Sequence, residues 1–356
     1  MSDIIYEEIL QQVSLAGGMK GSEDLLDSIS RTMGGGAEYS RFNDLFRGIN
    51  RLPNLAPVPL HKESQGLVLF TRPNLNLSYD NIASVRALAH YLTQDPVSYQ
   101  YAVRMMLDPT TYSVPEAASS PLVDAKMPYI TLLTNSIKTM SPPPDIGLNM
   151  YTSPEGRFKE VWMMNDSIAE YNGKYDLTCT FSNFKGNAIL GLFQLWLTYM
   201  SALRIGPVIP HPYNRRADEM DYWTRIERFK FDITGQYVVG WFHTGASVPQ
   251  NLSIGAAFGY DRESGVDFEN KEISVQFASV GAVYNDPIQL LEFNMRVQTW
   301  NKKMADTVRK SHYVKVPRAA IAQTNYNGYP RINLATNEME WWVDKDDYVQ
   351  LVRTVS

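Results

Sequence analysis

Five histidines, one cysteine and two acidic clusters are the side chains through which this sequence could do chemistry. The histidines, His61, His90, His211, His243 and His312, stand singly. No HExxH, G-x-S-x-G or G-x-G-x-x-G occurs, so the local signatures of zinc proteases, esterases and dinucleotide binders are missing. The best acid–base grouping is His211 with Asp218, Glu219 and Asp221, but carboxylates seven or more residues from a loop histidine make a weak catalytic signal. Cys179 has no histidine near it in sequence, and its place in an alternating segment turns it inward, as for an inert structural thiol. A lone cysteine also excludes an intramolecular disulfide and a cysteine-based metal cluster. Asp344, Asp346 and Asp347 offer calcium-type ligands without the glycine and distal glutamate of an EF-hand. The Gly34–Gly36 run lacks the Lys and Ser/Thr of a phosphate loop and reads as a linker. The expectation is a non-enzymatic protein with no metal and no cofactor.

The elements around these residues follow from patterning. At 356 residues, 44% hydrophobic and 20% charged, the chain can bury a full core. Its start, MSDIIYEEILQQ, has no basic segment followed by an apolar one, so no secretory signal is expected. Residues 1–60 form an N-terminal arm: Ile5, Ile9 and Val13 make one apolar helical stripe, a second short helix surrounds Leu25, Leu26, Ile29 and Met33, and Arg51–Pro59 is extended by its prolines. Gly66–Phe70 is a short apolar run, the mark of a covered strand. Helices are predicted from Ser78, Asp80 or Asn81 to about Leu92, and from Asp95-Pro96 to Leu107. Eight prolines between Pro109 and Pro154 exclude long regular elements there, and 73–174 reads as a helical and proline-rich insertion on a β framework.

That framework has three alternating segments. Tyr175, Leu177, Cys179 and Phe181 form the inward face of the first. A second strand is predicted over 229–241, with Lys230, Asp232, Thr234 and Gln236 as its polar face. A third, Lys271–Val280, turns Ile273, Val275 and Phe277 inward and Glu272, Ser274 and Gln276 outward. Between the first two, Asn187–Ile205 is a long helix with a broad apolar face, read as buried rather than as a membrane span because Gln194, Thr198 and Ser201 interrupt it. From Glu292 the pattern is helical again to about Arg309. The boundaries are an arm at 1–60, a β domain at 61–300 and a C-terminal extension at 301–356, in an α+β sandwich or barrel.

The segments 231–263 and 271–286 resemble the paired strands of phage tail-tube domains. Thr244, Gly245, Pro249, Ser253, Phe258 and Tyr260 fill the first part of that pattern, and Ile273, Val275 and Phe277 the second. The resemblance covers about 66–72 and 175–294. It implies an α+β tail-tube-like β-sandwich or barrel with one packed helix, whose half-open sheet is completed by identical copies in a ring, usually six-fold, around a lumen. Asp232, Thr234, Gln236, Glu272, Ser274 and Gln276 become candidate lumen or inter-subunit residues, past which DNA slides without specific binding. The insertion and terminal extensions look more like a tube initiator or baseplate component than a plain tube subunit. The implied partners are other tail or baseplate proteins, and the implied location is the virion tail, after assembly in the host cytoplasm.

Charge adds a second candidate surface. Overall the net charge is −5, without the basic footprint of a nucleic-acid binder. Lys302, Lys303, Arg309, Lys310, Lys315 and Arg318 outnumber Asp306, while Glu338, Glu340, Asp344, Asp346 and Asp347 outnumber Lys345. Opposite blocks of this kind can fix the register of neighbouring subunits or stacked rings. Trp341 and Trp342, adjacent on a predicted strand, should face opposite ways, the outward one anchoring an interface. An aromatic content of 12%, with Trp241, Trp341 and Trp342, leaves a carbohydrate-binding or hydrolytic β-sandwich module as the alternative.

Overall fold

The computed structural model describes residues 66–108, 123–167, 173–184, 186–217, 220–232, 234–257, 272–317, 321 and 327–348. The N-terminal arm, Phe258, Tyr260, Asp218, Glu219 and Arg318 lie outside them. The described chain is α+β and divides into two units. One comprises Val68–Arg228 and Phe242–Gln289; the other contains Phe229–Trp241 and the residues from Leu290 onward.

A six-stranded sheet is built from β1 (Gly66–Phe70), β2 (Ile137–Met140), β5 (Lys174–Ser182), β6 (Ile226–Phe231), β7 (Val238–Leu252) and β8 (Glu272–Tyr284), in the order β1-β6-β7-β8-β5-β2. Its longest regular ladder is the antiparallel β5–β8 pair, which sets Leu177 opposite Phe277 and Cys179 opposite Val275. Because side chains alternate with period two, these four and Phe181 and Ile273 share one face, and all are buried. Helix α4 (Ala188–Ile205) lies in the same core through Ile189, Leu192, Phe193, Leu195, Trp196 and Tyr199. The rings of Phe70, Phe181, Phe193 and Phe277 meet at centroid distances of 5.4–5.8 Å. Each fully buried ring contributes about 2–3 kcal/mol of transfer free energy. Gly206, at φ 104°, ends α4 by donating its N–H to Ala202 O, a left-handed cap that glycine adopts without a Cβ clash.

Between β1 and β2 lie α1 (Tyr79–Ala83), a 3-10 segment (Arg86–Leu92), α2 (Tyr99–Leu107) and α3 (Thr131–Ser136). The single helix predicted to run to Leu92 is broken. Ser84 Oγ donates to Asn81 O and Pro207 O, and Val85 is extended, so side-chain hydrogen bonding wins over helix continuation. The next helix begins at Tyr99 rather than after Asp95-Pro96, because Ser98 Oγ accepts from Tyr101 N–H and is its cap.

Segment 73–174 is not separate from the framework. It supplies β2, paired with β5, and a two-stranded ribbon of β3 (Met150–Thr152) and β4 (Met163–Asn165). It also occupies the β1 side of the sheet, where Ile130 N–H donates to Phe70 O and Thr71 bridges Tyr129. The sheet is therefore less open than its alternating segments alone suggested.

The strand expected over 229–241 is two strands, β6 and β7, joined by a turn. Gly235 takes φ 66°, and Asp232 Oδ1 accepts from the N–H groups of Gln236 (3.1 Å) and Tyr237 (3.2 Å). An Asp whose carboxylate captures downstream amides favours a turn over strand continuation.

In the second unit, a three-stranded antiparallel sheet has the order β10-β11-β9, from β9 (Tyr313–Val316), β10 (Tyr329–Asn333) and β11 (Glu338–Asp344). The helical pattern expected from Glu292 begins earlier. Helix α7 (Pro287–Trp300) follows the short helices α5 (Pro212–Ala217) and α6 (Ile254–Ala257), and α8 (Arg309–His312) precedes β9. Asn294 Nδ2 donates to Ile332 O and its Oδ1 accepts from Ile332 N–H, fastening α7 to β10, while Phe293 meets Phe229 edge-on at 5.1 Å.

Candidate assembly interface

The face of the β5–β8 ladder opposite the core carries Glu272, Ser274 and Gln276, set across from Ser182, Thr180 and Thr178. Glu272 and Ser274 are exposed and Gln276 is half-buried, as their alternation required. Asp176 and Lys174 continue this face on β5, and Lys138 of β2 places its Nζ 2.7 Å from Glu272 Oε1. The result is a surface of hydroxyls and an amide interspersed with two cations and two carboxylates, Lys138, Lys174, Asp176 and Glu272. Asp232, Thr234 and Gln236 do not share that face. They belong to the β6–β7 turn, where Thr234 Oγ1 donates to Asp232 Oδ2 at 2.6 Å and Gln236 O accepts from Met339 N–H. Their polarity serves a turn that sequence alternation misread as a strand face.

The opposite charge blocks meet partly within the chain. Lys315 Nζ lies 2.6 Å from Glu338 and 3.7 Å from Glu340, and Arg331 reaches Asp306 (3.0 Å) and Glu340 (3.2 Å). Arg309 is buried, donates to Met304 O and pairs with Asp306, and holds its guanidinium 4.6 Å from the Trp342 ring centre. Hydrogen bonding by Arg309, with help from Arg331, holds the Asp306 carboxyl below its ordinary range. Lys302, Lys303 and Lys310 are exposed, as are Asp346 and Asp347; Asp344 Oδ1 accepts from Asp346 N–H in a local turn.

The expectation that one tryptophan faces outward fails: Trp341 is 1% exposed and Trp342 6%. Trp341 Nε1 donates to Asn327 O and Trp342 Nε1 to Glu340 Oε2, so both indoles are packed and hydrogen-bonded. Covered on both sides, they offer no sugar-stacking platform, which removes much of the motive for a carbohydrate module.

Of the acid–base candidates, His211 and Asp221 are described, and both are buried and hydrogen-bonded. Asp221 Oδ2 accepts from Tyr199 OH (2.5 Å) and from His211 N–H (3.0 Å), and burial raises its carboxyl above the usual range. Burial lowers His211, whose ring Nδ1 is 3.3 Å from Asn74 Nδ2. These contacts tie the 74–76 loop, α4 and the 207–211 loop together. Cys179 is buried and its thiol is pushed up to about 12. Among the described residues no group of three or more His, Cys, Asp or Glu could hold a metal ion.

Sequence reasoning missed the surface that is most exposed. The β3–β4 ribbon and its flanks present Leu148, Met150, Tyr151, Phe158, Trp162, Met163 and Met164 to solvent, with Phe158 87% and Met163 63% exposed. The signal lies in the apolar pairs Met150-Tyr151 and Trp162-Met163 on either side of a polar turn. A family model described as "Putative phage tail tube protein" matches residues 19–355. The chain belongs to that family.

This tail structural protein also has a likeness to solved structures. It is similar to the tube-terminating cap of the anti-feeding prophage, at 11% identity over 42% of this chain and 79% of that one, with a TM-score of 0.26. It is similar to the sheath/tube terminator of the PVC extracellular contractile injection system in its extended state, at 8% identity over 42% and 85%, with a TM-score of 0.24. A third is the sheath–tube complex of the same PVC system, at 11% identity over 44% and 82%, with a TM-score of 0.26. No curated protein matches the chain. The family membership rests on the match across 19–355. Among the described residues this family member presents a polar sheet face, an apolar ribbon and the exposed Lys302, Lys303 and Lys310.

Proposed function

We propose that this tail structural protein assembles with identical copies into a ring, six-fold by the family resemblance, around a DNA-conducting lumen, and that it carries out no catalysis. The supporting observation is the outer face of β5–β8. It is a polar surface on a sheet whose other face is core, with Thr178, Ser274 and Gln276 among two cations and two carboxylates of zero formal net charge, and Lys138 is engaged with Glu272. DNA is retained by lysines and arginines that neutralise phosphates, so a wall of Thr178, Ser274 and Gln276 lets it pass. The β3–β4 ribbon, too apolar for a free surface, is the proposed contact with the next ring or with other tail and baseplate proteins. The insertion and extensions favour a tube initiator or a baseplate-proximal ring over the repeating tube unit. Lys302, Lys303, Lys310, Asp346 and Asp347 are proposed to set the register between rings.

Light scattering after size exclusion, with negative-stain microscopy, tests the assembly. Closed rings or stacks are expected; a monomer at every concentration would overturn it. The lumen assignment is tested separately with Ser274→Lys/Gln276→Lys. Rings should still form, while DNA retention on filters at low salt rises at least tenfold. Unchanged retention by intact rings would move the lumen elsewhere on the subunit.

A further inference from the structure

The fold sorts the methionines of this chain by access. Met105, Met127, Met304 and Met339 are buried, whereas Met150 (54% exposed), Met163 (63%) and Met164 (47%) crowd the β3–β4 ribbon. Met220 and Met295 are exposed as well, each on a different element from the ribbon. The ribbon ladder pairs Met150 with Asn165, Tyr151 with Met164 and Thr152 with Met163. Facing residues share a side and neighbours alternate. Met150 and Met163 are therefore diagonal neighbours on one side, while Met164 shares the other with Tyr151 and Trp162. Each side of the ribbon carries thioether sulfur within reach of solutes.

A thioether is a soft, polarisable nucleophile whose mild covalent chemistry is oxygen transfer. A sulfur lone pair attacks one oxygen of hydrogen peroxide, the O–O bond breaks and an S–O bond forms. The proton on the transferred oxygen passes to the departing one. Sulfur is oxidised by two electrons, and the peroxide is reduced to water. The sulfoxide replaces an apolar side chain with a polar one bearing a strong acceptor oxygen. An apolar contact that must bury this oxygen unpaired is weakened. Cys179 does not compete for the oxidant, because it is buried.

We propose that Met150, Met163 and Met164 are a peroxide-sensitive modification site, and that oxygen transfer to their sulfurs turns the ribbon from an apolar surface into a polar one and releases its assembly contact. The release rests on the reading of the ribbon as that contact.

The test treats the full-length chain with dilute hydrogen peroxide below the concentration at which it associates. Sites are mapped by peptide mass, and association is followed by light scattering after concentration. Met150, Met163 and Met164 should gain one oxygen about tenfold faster than Met105, Met127 and Met304, and association should weaken by about the same factor. Methionine sulfoxide reductases acting on both epimers should restore it. Two variants are each scored against their own untreated sample: Met150→Leu/Met163→Leu/Met164→Leu should lose the response to peroxide, and Met220→Leu/Met295→Leu should keep it. Equal oxidation of ribbon and buried methionines, or a leucine ribbon as peroxide-sensitive as the parent, would overturn the proposal. Trp162→Ser/Met163→Ser separates the two readings. If it weakens association and oxidation does not, the contact stands and the redox inference falls alone. If it associates like the parent, the ribbon is not the contact and both fall.

Discussion

At the scale of single residues, burial decides what each reactive group can do. Cys179 lies opposite Val275 with its thiol pushed up to about 12, and only a thiolate attacks an alkylating agent. Iodoacetamide at pH 8 should label the native protein at least a hundredfold more slowly than the denatured one, followed by intact mass. Asp221 illustrates linkage. Burial raises its folded pKa above the unfolded value of about 3.9, so the native state holds the proton more tightly. Its contribution favours folding below the unfolded value and declines as pH climbs through the raised folded value. Denaturant midpoints measured across that window should fall less steeply with pH in Asp221→Asn. Asp306 has the opposite sign: its lowered carboxyl stabilises above the unfolded value, and that stabilisation goes as pH drops through the folded one. Arg72 is buried and donates to the carbonyls of Met105, Met106, Asp124 and Met127, joining the end of α2 to the 124–127 loop. Arg72→Met leaves those carbonyls without their donor and should cost about 3 kcal/mol in urea unfolding.

At the scale of elements, the β7–β8 ladder depends on two glycines that face each other. A Cβ on Gly245 would sit 2.9 Å from Val280 O and 3.4 Å from Gly281 Cα, and Gly281 itself takes φ 69°. Backbone cannot yield as a side-chain tip does, so Gly245→Ala should destabilise by about 1–3 kcal/mol, read as a lower melting temperature. The register of β8 is tested by neighbours of opposite fate. Phe277→Asp drives a charge among Phe70 and Phe193 and should abolish soluble folded protein, whereas Gln276→Asp, on the other face, should melt close to the parent. A reversed outcome would shift the strand by one residue.

At the scale of the whole molecule, the exposed apolar ribbon is at odds with an isolated life in water. A two-stranded ribbon is marginal by itself, and large exposed side chains favour association. Trp162→Ser/Met163→Ser should leave the subunit's melting temperature within error, because these side chains are 62% and 63% exposed, while weakening the proposed stacking of rings, as read by microscopy. Stacks as long and as frequent as the parent's would exclude the ribbon from that contact.

Much of the fold was legible because it is local. Period-two alternation put Leu177, Cys179, Phe181, Ile273, Val275 and Phe277 on a buried face, and the apolar 188–205 run placed the core helix almost to the residue. The family resemblance, carried by the 231–286 punctuation, agrees with the match across 19–355. What sequence could not supply was set by contacts distant along the chain. Pro207 O draws Ser84 out of the helix, Arg309 and Glu340 cover Trp342, Lys315 finds Glu338 within its own chain, and Ile130 closes on Phe70. Alternation reports which side chains share a face, because that is fixed by backbone geometry. Only the assembled structure decides what each face meets, because burial and pairing are properties of neighbours brought in from elsewhere.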